Sequence, residues 1–468
     1  MNHRTLLIAL GLAAAIPVAA LPALGDLSVR TGPALLIWGA AHAFYLTAAW
    51  LALRGRRTFF AAPRFAIALV IAVGLIPRLA LLPTAPTLSE DLYRYLWDGR
   101  LVAQGMNPYA HPPDDAALGP FRDELLQRLN HPSVPTVYPP AAQLLFGLAA
   151  AAGVSPLSWK LLLFTLEGAL TGLLLILLRR RRLPAERLLL YYWNPLVIVE
   201  CCGSGHVDVA LATFLVLAVT LQETGRRAAS GLAFGAAILT KWTPVLVLPT
   251  LIRGREWRLL AAASLLAALV VAPFLQGAER FGEGLRTYAR HWEFNGPIYS
   301  LLRPAFRSGD EPRLILAALL ALSSMGIAWR ARTLSGAVLA TWIAFLLLSP
   351  TVYPWYLVPA VALLPLHPNA GLLVLSGTAA LTYAPLPAFR ATGVWTLPDW
   401  ILWVEYGAAV VTWTVVRVWA RLRPADGVGG GKEADVEKAG QVQHQEGERS
   451  EETSLDQGEH GPREIEAK

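Results

Sequence analysis

The sequence predicts an all-α polytopic membrane protein, and three observations carry that prediction. Apolar runs of 14 to 22 residues recur between Leu6 and Val418, and ~20 apolar residues in a helix cross a bilayer core. Charged residues make up 16% of the chain against 55% hydrophobic, with a mean hydropathy of +0.45; soluble domains carry roughly 25% charged residues. Basic residues sit in short clusters between the apolar runs, as topology signals do. A water-soluble enzyme is thereby excluded.

The only cysteines, Cys201 and Cys202, are adjacent, which excludes a disulfide framework and a cysteine-rich metal site. A net charge of +7 and a pI near 9.5 would suit a nucleic-acid partner. The charge is instead divided along the chain, so no nucleic acid is expected. Residues 421–468 hold 12 Asp+Glu against 7 Lys+Arg, while the first 420 hold 33 basic against 21 acidic residues. The tail is Gly, Glu, Gln and Ser with almost no large apolar side chains, a composition that stays disordered. The expected domains are therefore a transmembrane domain, 1–420, and a disordered acidic tail, 421–468.

The first run, Thr5 to Leu24, reads as a retained span rather than a secretory signal, because of its length and the apolar run behind it. Placing the clusters Arg54/Arg56/Arg57/Arg64, Arg179 to Arg182, Arg226/Arg227, Arg253/Arg255/Arg258, Arg330/Arg332 and Arg421/Arg423 in the cytoplasm orders the rest. Segment 33–53 then runs inward and 64–83 outward, leaving an external loop over about 84–137. The 14-residue run 139–152 reads as re-entrant or interfacial, since a full crossing would put Arg179–Arg182 outside. Beyond 157–178, segments 187–201 and 205–222 form a hairpin about Gly203-Ser204-Gly205-His206. Two short pieces, 228–240 and 243–252, flank Lys241, and 259–275 leads to a second external loop, 276–312. Spans over 313–329, 335–349, 354–366, 370–387 and 399–420 complete 12 to 14 crossings, with both termini cytoplasmic.

On this topology five polar and aromatic clusters share the external side: Ser89–Arg100, Val137–Pro140, Gly203–Asp208, His291–Asn295 and Ser349–Tyr356. In the first, Ser89 reads as a helix N-cap, Glu90 and Asp91 as its first turn and Gly99 as its end. Helical spacing puts Asp91, Arg94, Tyr95 and Asp98 on one face, and Leu92, Leu96 and Ala103 on another suited to the membrane surface. First-turn acids also complement a helix dipole without doing chemistry; their place just beyond a span favours chemistry. Lys241 interrupts an apolar stretch, where a cation costs ~2.5–3.5 kcal/mol and so faces a partner or a cavity. Either a salt bridge or an anionic substrate group satisfies it, and Pro244 beside it marks a discontinuous helix.

Glu200, His206 and Asp208 surround the hairpin break and read as the polar rim of a cavity. One His and two carboxylates without tight spacing form no metal motif, although a divalent cation is compatible with them. His291 to Asn295 mixes aromatic and hydrogen-bonding groups as sugar sites do, and Tyr353 lies where two prolines break a span. Arg78 reads as an interfacial anchor and Glu167 as a buried acid paired locally with Lys160. There is no Walker loop, dinucleotide fingerprint, paired-His zinc motif or serine nucleophile elbow. The alternative to an enzyme is a polytopic secondary transporter or lipid-linked oligosaccharide flippase.

Glu90-Asp91-Leu92-Tyr93-Arg94-Tyr95-Leu96-Trp97-Asp98-Gly99-Arg100, followed by Gly105-Met106-Asn107-Pro108-Tyr109, resembles the first external loop of the GT-C membrane mannosyltransferases. The resemblance is to bacterial polyprenyl-phosphomannose-dependent α-mannosyltransferases and to the catalytic subunit of GPI mannosyltransferase I. Tyr138-Pro139-Pro140, Trp193-Asn194-Pro195, the Gly203–Asp208 turn, Lys241 with Pro244, and Pro354-Trp355-Tyr356 follow in that family's order, over roughly Pro77 to Leu366. The GPI enzyme has an Asp-x-Asp pair where this chain has Glu90-Asp91.

The resemblance implies a GT-C-like bundle in the bacterial inner membrane, with its active site on the periplasmic face. It implies a polyprenyl-phosphate sugar donor, mannose as the sugar, a glycan or lipid acceptor, membrane lipids as surroundings and inversion at the anomeric carbon. Asp91 is then the expected general base, with Glu90 second. Arg94, Arg100, Lys241, His206 and His291 are candidates to meet the leaving phosphate, and Tyr95, Asp98, Asp208, Asn295 and Tyr353 complete the expected substrate contacts.

Overall fold

A computed structural model describes residues 3–54, 63–275 and 279–422. The regular structure of the described residues is helical, and their only β pairing is two isolated bridges from Phe294 and Asn295 to Thr351. The chain divides into a unit of residues 1–413 and a second of 414–468. The described part of the second, 414–422, is helical. The expectation of a disordered tail falls on residues outside those described, as do Arg56, Arg57 and Arg423.

Among the described residues, eight helices are long and apolar enough to cross a membrane: His3–Leu24 (α1), Thr31–Arg54 (α2), Pro63–Leu81 (α3), Pro156–Arg180, Trp257–Phe274, Asp310–Arg330, Ala370–Thr392 and Asp399–Trp419. A bent pair, Pro195–Gly203 with Asp208–Glu223, makes nine. The 12 to 14 crossings expected from apolar runs exceed this, because several runs fold into shorter helices. Pro140–Ala151, Arg227–Thr240, Thr243–Arg253 and Leu334–Leu348 are such pieces, and 12 residues rise only ~18 Å against a core of ~30 Å. The short form of Pro140–Ala151 fits the re-entrant or interfacial reading of that run.

Between α3 and the next span, Asp91–Ala103 forms α4 and Pro140–Ala151 forms α5. Ser155 and Ser158 then cap Pro156–Arg180 (α6) reciprocally, with Arg179 and Arg180 in its last turn, where cations suit the dipole. The expectation that α4 lies along the membrane surface is corrected: Leu92, Tyr93, Arg94, Tyr95, Leu96, Trp97, Asp98, Gly99 and Leu101 are all buried. Nor does Gly99 end the helix, which runs on to Ala103. Gly99 lies where α4 crosses α5, and a Cβ there would fall on the backbone carbonyl of Phe146; Gly147 likewise faces Val102.

Arg78 and Glu167 also read differently in three dimensions. Arg78 is fully buried, and its guanidinium grips both oxygens of Glu167 at 2.6 and 2.9 Å. It also donates to the carbonyls of Gly74 and Tyr192 and lies 3.8 Å over the Tyr192 ring. Glu167 is therefore not the partner of Lys160, whose ammonium donates to Thr84 O at 2.7 Å.

The α4–α5 crossing generates a prediction. A Cβ at position 99 meets backbone atoms that cannot yield, so Gly99→Ala is expected to destabilise the protein by about 1–3 kcal/mol. Thermal unfolding in detergent reads this as a lowered Tm, and an unchanged Tm contradicts the close crossing.

Candidate active site

The α4 helix presents Asp91 at its first turn. The Ser89 hydroxyl accepts the Asp91 N–H at 3.2 Å, but the N-cap is Glu90, whose side chain makes no capping bond; the expectation of Ser89 as N-cap and Glu90 in the first turn is corrected by one residue. Further along, Arg94 is braced inside the protein, donating to Asp98 at 2.9 Å and to Val134 O at 3.0 Å. Gln143 of α5 donates to the other Asp98 oxygen at 3.1 Å and to Thr136 at 2.8 Å. Tyr95 is packed among Tyr138, Phe146 and Trp159. This network fixes α4 and the 134–139 segment together, leaving Asp91 as the acid at the open end; its side chain is 24% exposed.

Opposite Asp91 stands the bent pair, Pro195–Gly203 (α7) and Asp208–Glu223 (α8), whose halves meet at 116°. Asn194 caps the start of α7 through Leu196 N at 3.0 Å. A π turn over Val199–Gly203 shifts the register there, a device common at functional sites. Gly205 then turns the chain with a φ of +75, and a Cβ on it would meet Leu92 at 2.7 Å. The turn places His206 with its ring stacked 3.7 Å from Trp355. His206 Nδ1 lies 3.9 Å from Asp91 Oδ2, and Nε2 lies 3.4 Å from Glu200 Oε2.

Lys241 follows the helix Arg227–Thr240 (α9) in an extended conformation, before Thr243–Arg253 (α10) begins. The discontinuity expected from Pro244 is thus present. Its ammonium donates to both Asp208 oxygens, at 2.8 and 3.0 Å, and sits 3.9 Å over the Tyr356 ring. Tyr356 shares a hydroxyl contact with Tyr288. Tyr353 stacks between Trp355 and Phe294.

Burial pushes the Asp91 carboxyl up to about 6, against the pull of Lys241 and of the Asn130 and Tyr138 side chains; the Asp208 charge adds to the rise. A carboxyl poised there is ionised near neutrality yet basic enough to take a proton. Proximity to Lys241 makes the site electrostatically asymmetric, with one cation among three acids.

The structure thus gathers Asp91, His206, Asp208, Lys241 and Tyr353 around one locus and holds others apart. Glu90 is exposed. Arg94 and Asp98 are spent on each other, and Arg100 is engaged by Asp123 and Phe121 O, so neither arginine faces the acids. His291 is exposed and turned onto Thr287 O of its own helix. Asn295 donates to Glu405 at 2.7 Å. These six are structural or peripheral in this arrangement.

Residues outside the expected set also reach the locus: Glu200, Trp355, Tyr356, Tyr288, Asn130 and Tyr138. Glu200 carried a signal, as an ionisable residue in an apolar run; nothing in sequence marked Asn130 or Tyr288. Glu200, His206 and Asp208 do not converge as three ligands would, because Lys241 occupies both Asp208 oxygens. Glu167, Cys201 and Cys202 bring ligand atoms within 4.8 Å of one another, but Glu167 there already carries Arg78.

The family model described as alpha-(1->6)-mannopyranosyltransferase, N-terminal domain (MptA_B family) matches residues 5–254, more than half of the chain. The chain belongs to this family. It is also similar to alpha-(1->6)-mannopyranosyltransferase A of Mycobacterium tuberculosis (strain ATCC 25618 / H37Rv), at 25% identity over 436 residues, covering 82% of this chain and 80% of the relative. The protein is a membrane mannosyltransferase, and the transporter alternative is set aside. The matched segment contains Asp91, Glu200, His206, Asp208 and Lys241, whereas Tyr353, Trp355 and Tyr356 lie beyond it.

Asp91 accepts a proton only when ionised, so kcat/KM of the mannosyltransferase is expected to fall as pH drops through about 6 and to level off above it. The Lys241 charge holds the carboxyl down, so Lys241→Gln is expected to move this acid limb to higher pH. A limb near the ordinary carboxylate value of ~4, or one unmoved in the variant, contradicts the assignment.

Proposed function

We propose that the mannosyltransferase transfers mannose from a polyprenyl-phosphate donor to a hydroxyl of a glycan or lipid acceptor on the external face of the membrane, with inversion. One observation carries the reading: Asp91, a partly exposed carboxylate raised toward neutrality, lies within electrostatic reach of the cation Lys241 at the edge of an apolar helical bundle. A base and a cation in one site suit displacement at an anomeric carbon. Asp91 takes the proton of the acceptor hydroxyl as that oxygen bonds to the anomeric carbon. The bond from carbon to phosphate oxygen breaks, and its electron pair leaves with the polyprenyl phosphate.

A phosphate leaving group needs no proton, only positive charge aimed at the oxygen where negative charge develops. Lys241 is the cation within reach of the acids, and its third donor is not used by Asp208. The apolar surface of the surrounding spans supplies a medium for a lipid-linked donor. Direct displacement turns a β-linked donor into an α-linked product, in keeping with the name of the mycobacterial relative. That name also supports the 6-hydroxyl of a hexose as the acceptor group for this chain.

With labelled polyprenyl-phosphomannose and a mannan acceptor, Asp91→Asn is expected to fold and insert normally but to lose about 10²–10⁴-fold in kcat; transfer at the normal rate contradicts the reading. Lys241→Gln is expected to raise the KM for the donor while leaving that for the acceptor near its normal value. Equal effects on both substrates count against phosphate contact by Lys241.

A further inference from the structure

His206 lies between two acids, Asp91 and Glu200. Its ring is 1% exposed, clamped flat against Trp355, and points Nδ1 at Asp91 and Nε2 at Glu200. Neither ring nitrogen is in a formed hydrogen bond, and Glu200 Oε2 is likewise unpartnered, although all three atoms are buried. Buried polar atoms are rarely left so, and contacts around a catalytic group are often long before substrate binds. The other Glu200 oxygen accepts the Tyr383 hydroxyl at 2.7 Å. The groups facing this row are Asp208 with Lys241, Asn130 and Tyr138 on the Asp91 side, and Tyr383 and Ser204 on the Glu200 side.

A neutral imidazole carries one N–H, so two acids cannot both receive a proton from it. Lys241 is taken up by Asp208, leaving Glu200 with no cation of its own. A carboxylate removed from water without a partner is favoured as the acid. We propose that Tyr383, Glu200 and His206 form a positioning row for the general base. Glu200, as the carboxylic acid, donates to Nε2; this fixes the tautomer with the proton on Nδ1, and Nδ1–H donates to Asp91 Oδ2. The row holds the Asp91 carboxylate in one orientation and leaves Oδ1 for the acceptor hydroxyl. It exchanges no proton with the substrate: the acceptor proton goes to Asp91 and leaves to solvent once the product departs. This rests on Asp91 being the base.

The test uses the full-length protein in nanodiscs, with transfer followed over a range of pH and substrate concentration. His206→Ala is expected to lower kcat by about 10²-fold with little change in donor KM, and to move the acid limb of kcat/KM to higher pH, because a donor to the ionised base is lost. Glu200→Ala is expected to match it. Glu200→Gln, which keeps a donor toward Nε2 and an acceptor for Tyr383, is expected to rescue most of the loss. Should His206→Ala fail to fold, His206→Asn places an amide donor near the Nδ1 position and is expected to retain the normal limb. In His206→Ala or Glu200→Ala, a loss of kcat without movement of the limb overturns the proposal, as do normal rates; so does a Glu200→Gln protein as impaired as Glu200→Ala. A His206→Asn protein whose limb moves as far as that of Glu200→Ala overturns it too. Asp91→Asn, run alongside, separates the two readings: an inactive Asp91→Asn with a normal Glu200→Ala protein ends the positioning row alone, whereas an active Asp91→Asn ends the general-base reading itself.

Discussion

A charge inside an apolar bundle persists only with a partner, and the Arg78–Glu167 pair is where this constraint shapes the most structure. Its two short bonds tie α3 to α6, and the remaining Arg78 donor ties both to Tyr192 O. Tyr192 immediately precedes Trp193-Asn194-Pro195, where Asn194 starts α7. Glu167 also accepts the Cys201 thiol at 3.4 Å, inside the π turn that carries Glu200. The pair therefore fixes both the start of α7 and the register of its turn. Removing one partner of such a pair leaves an uncompensated buried charge, at about 3–5 kcal/mol.

The same constraint separates scaffold from chemistry. Arg78 with Glu167, Arg94 with Asp98, and Asp208 with Lys241 satisfy one another. Against that pattern, Asp91, His206 and Glu200 face each other at distances longer than formed hydrogen bonds. Placed by three separate elements, they converge because α4 is pinned from below by Asp98 and Gln143 and because Gly205 lets Leu92 approach the bend. The ring of Trp355 stacks on His206, and that of Tyr356 carries the cation of Lys241. The proposed transfer calls for a base, a cation and an excluded-water wall within one site, and Asp91, Lys241 and these rings are the groups proposed for them.

Much of this was legible in the sequence because hydropathy and charge clustering report directly on the bilayer. The helical class, the discontinuity at Lys241 and the break at Gly203–His206 followed from local pattern, and the choice of Asp91 as candidate base from resemblance. What pattern does not report is pairing across helices. Arg78 looked like an interfacial anchor because its partner lies 89 positions away, and Arg100 looked like a phosphate ligand because Asp123 gives no signal at a spacing of 23; the pairing of Arg94 with Asp98, by contrast, is the one that their shared helix face allows. Gly99 read as a helix end because glycine does that more often than it marks a crossing. The number of spans was overcounted for a related reason: an apolar run has the same composition whether it crosses the bilayer or folds as a short piece against its neighbours.

The central claim is that Asp91 is a partly buried carboxyl that changes its protonation near neutrality beside Lys241. Infrared titration of the carboxylic C=O stretch in nanodiscs measures this without any substrate. The account predicts a band that disappears as pH rises through about 6 and is missing from Asp91→Asn. The same band, with the same midpoint, in the Asp91→Asn protein would contradict it.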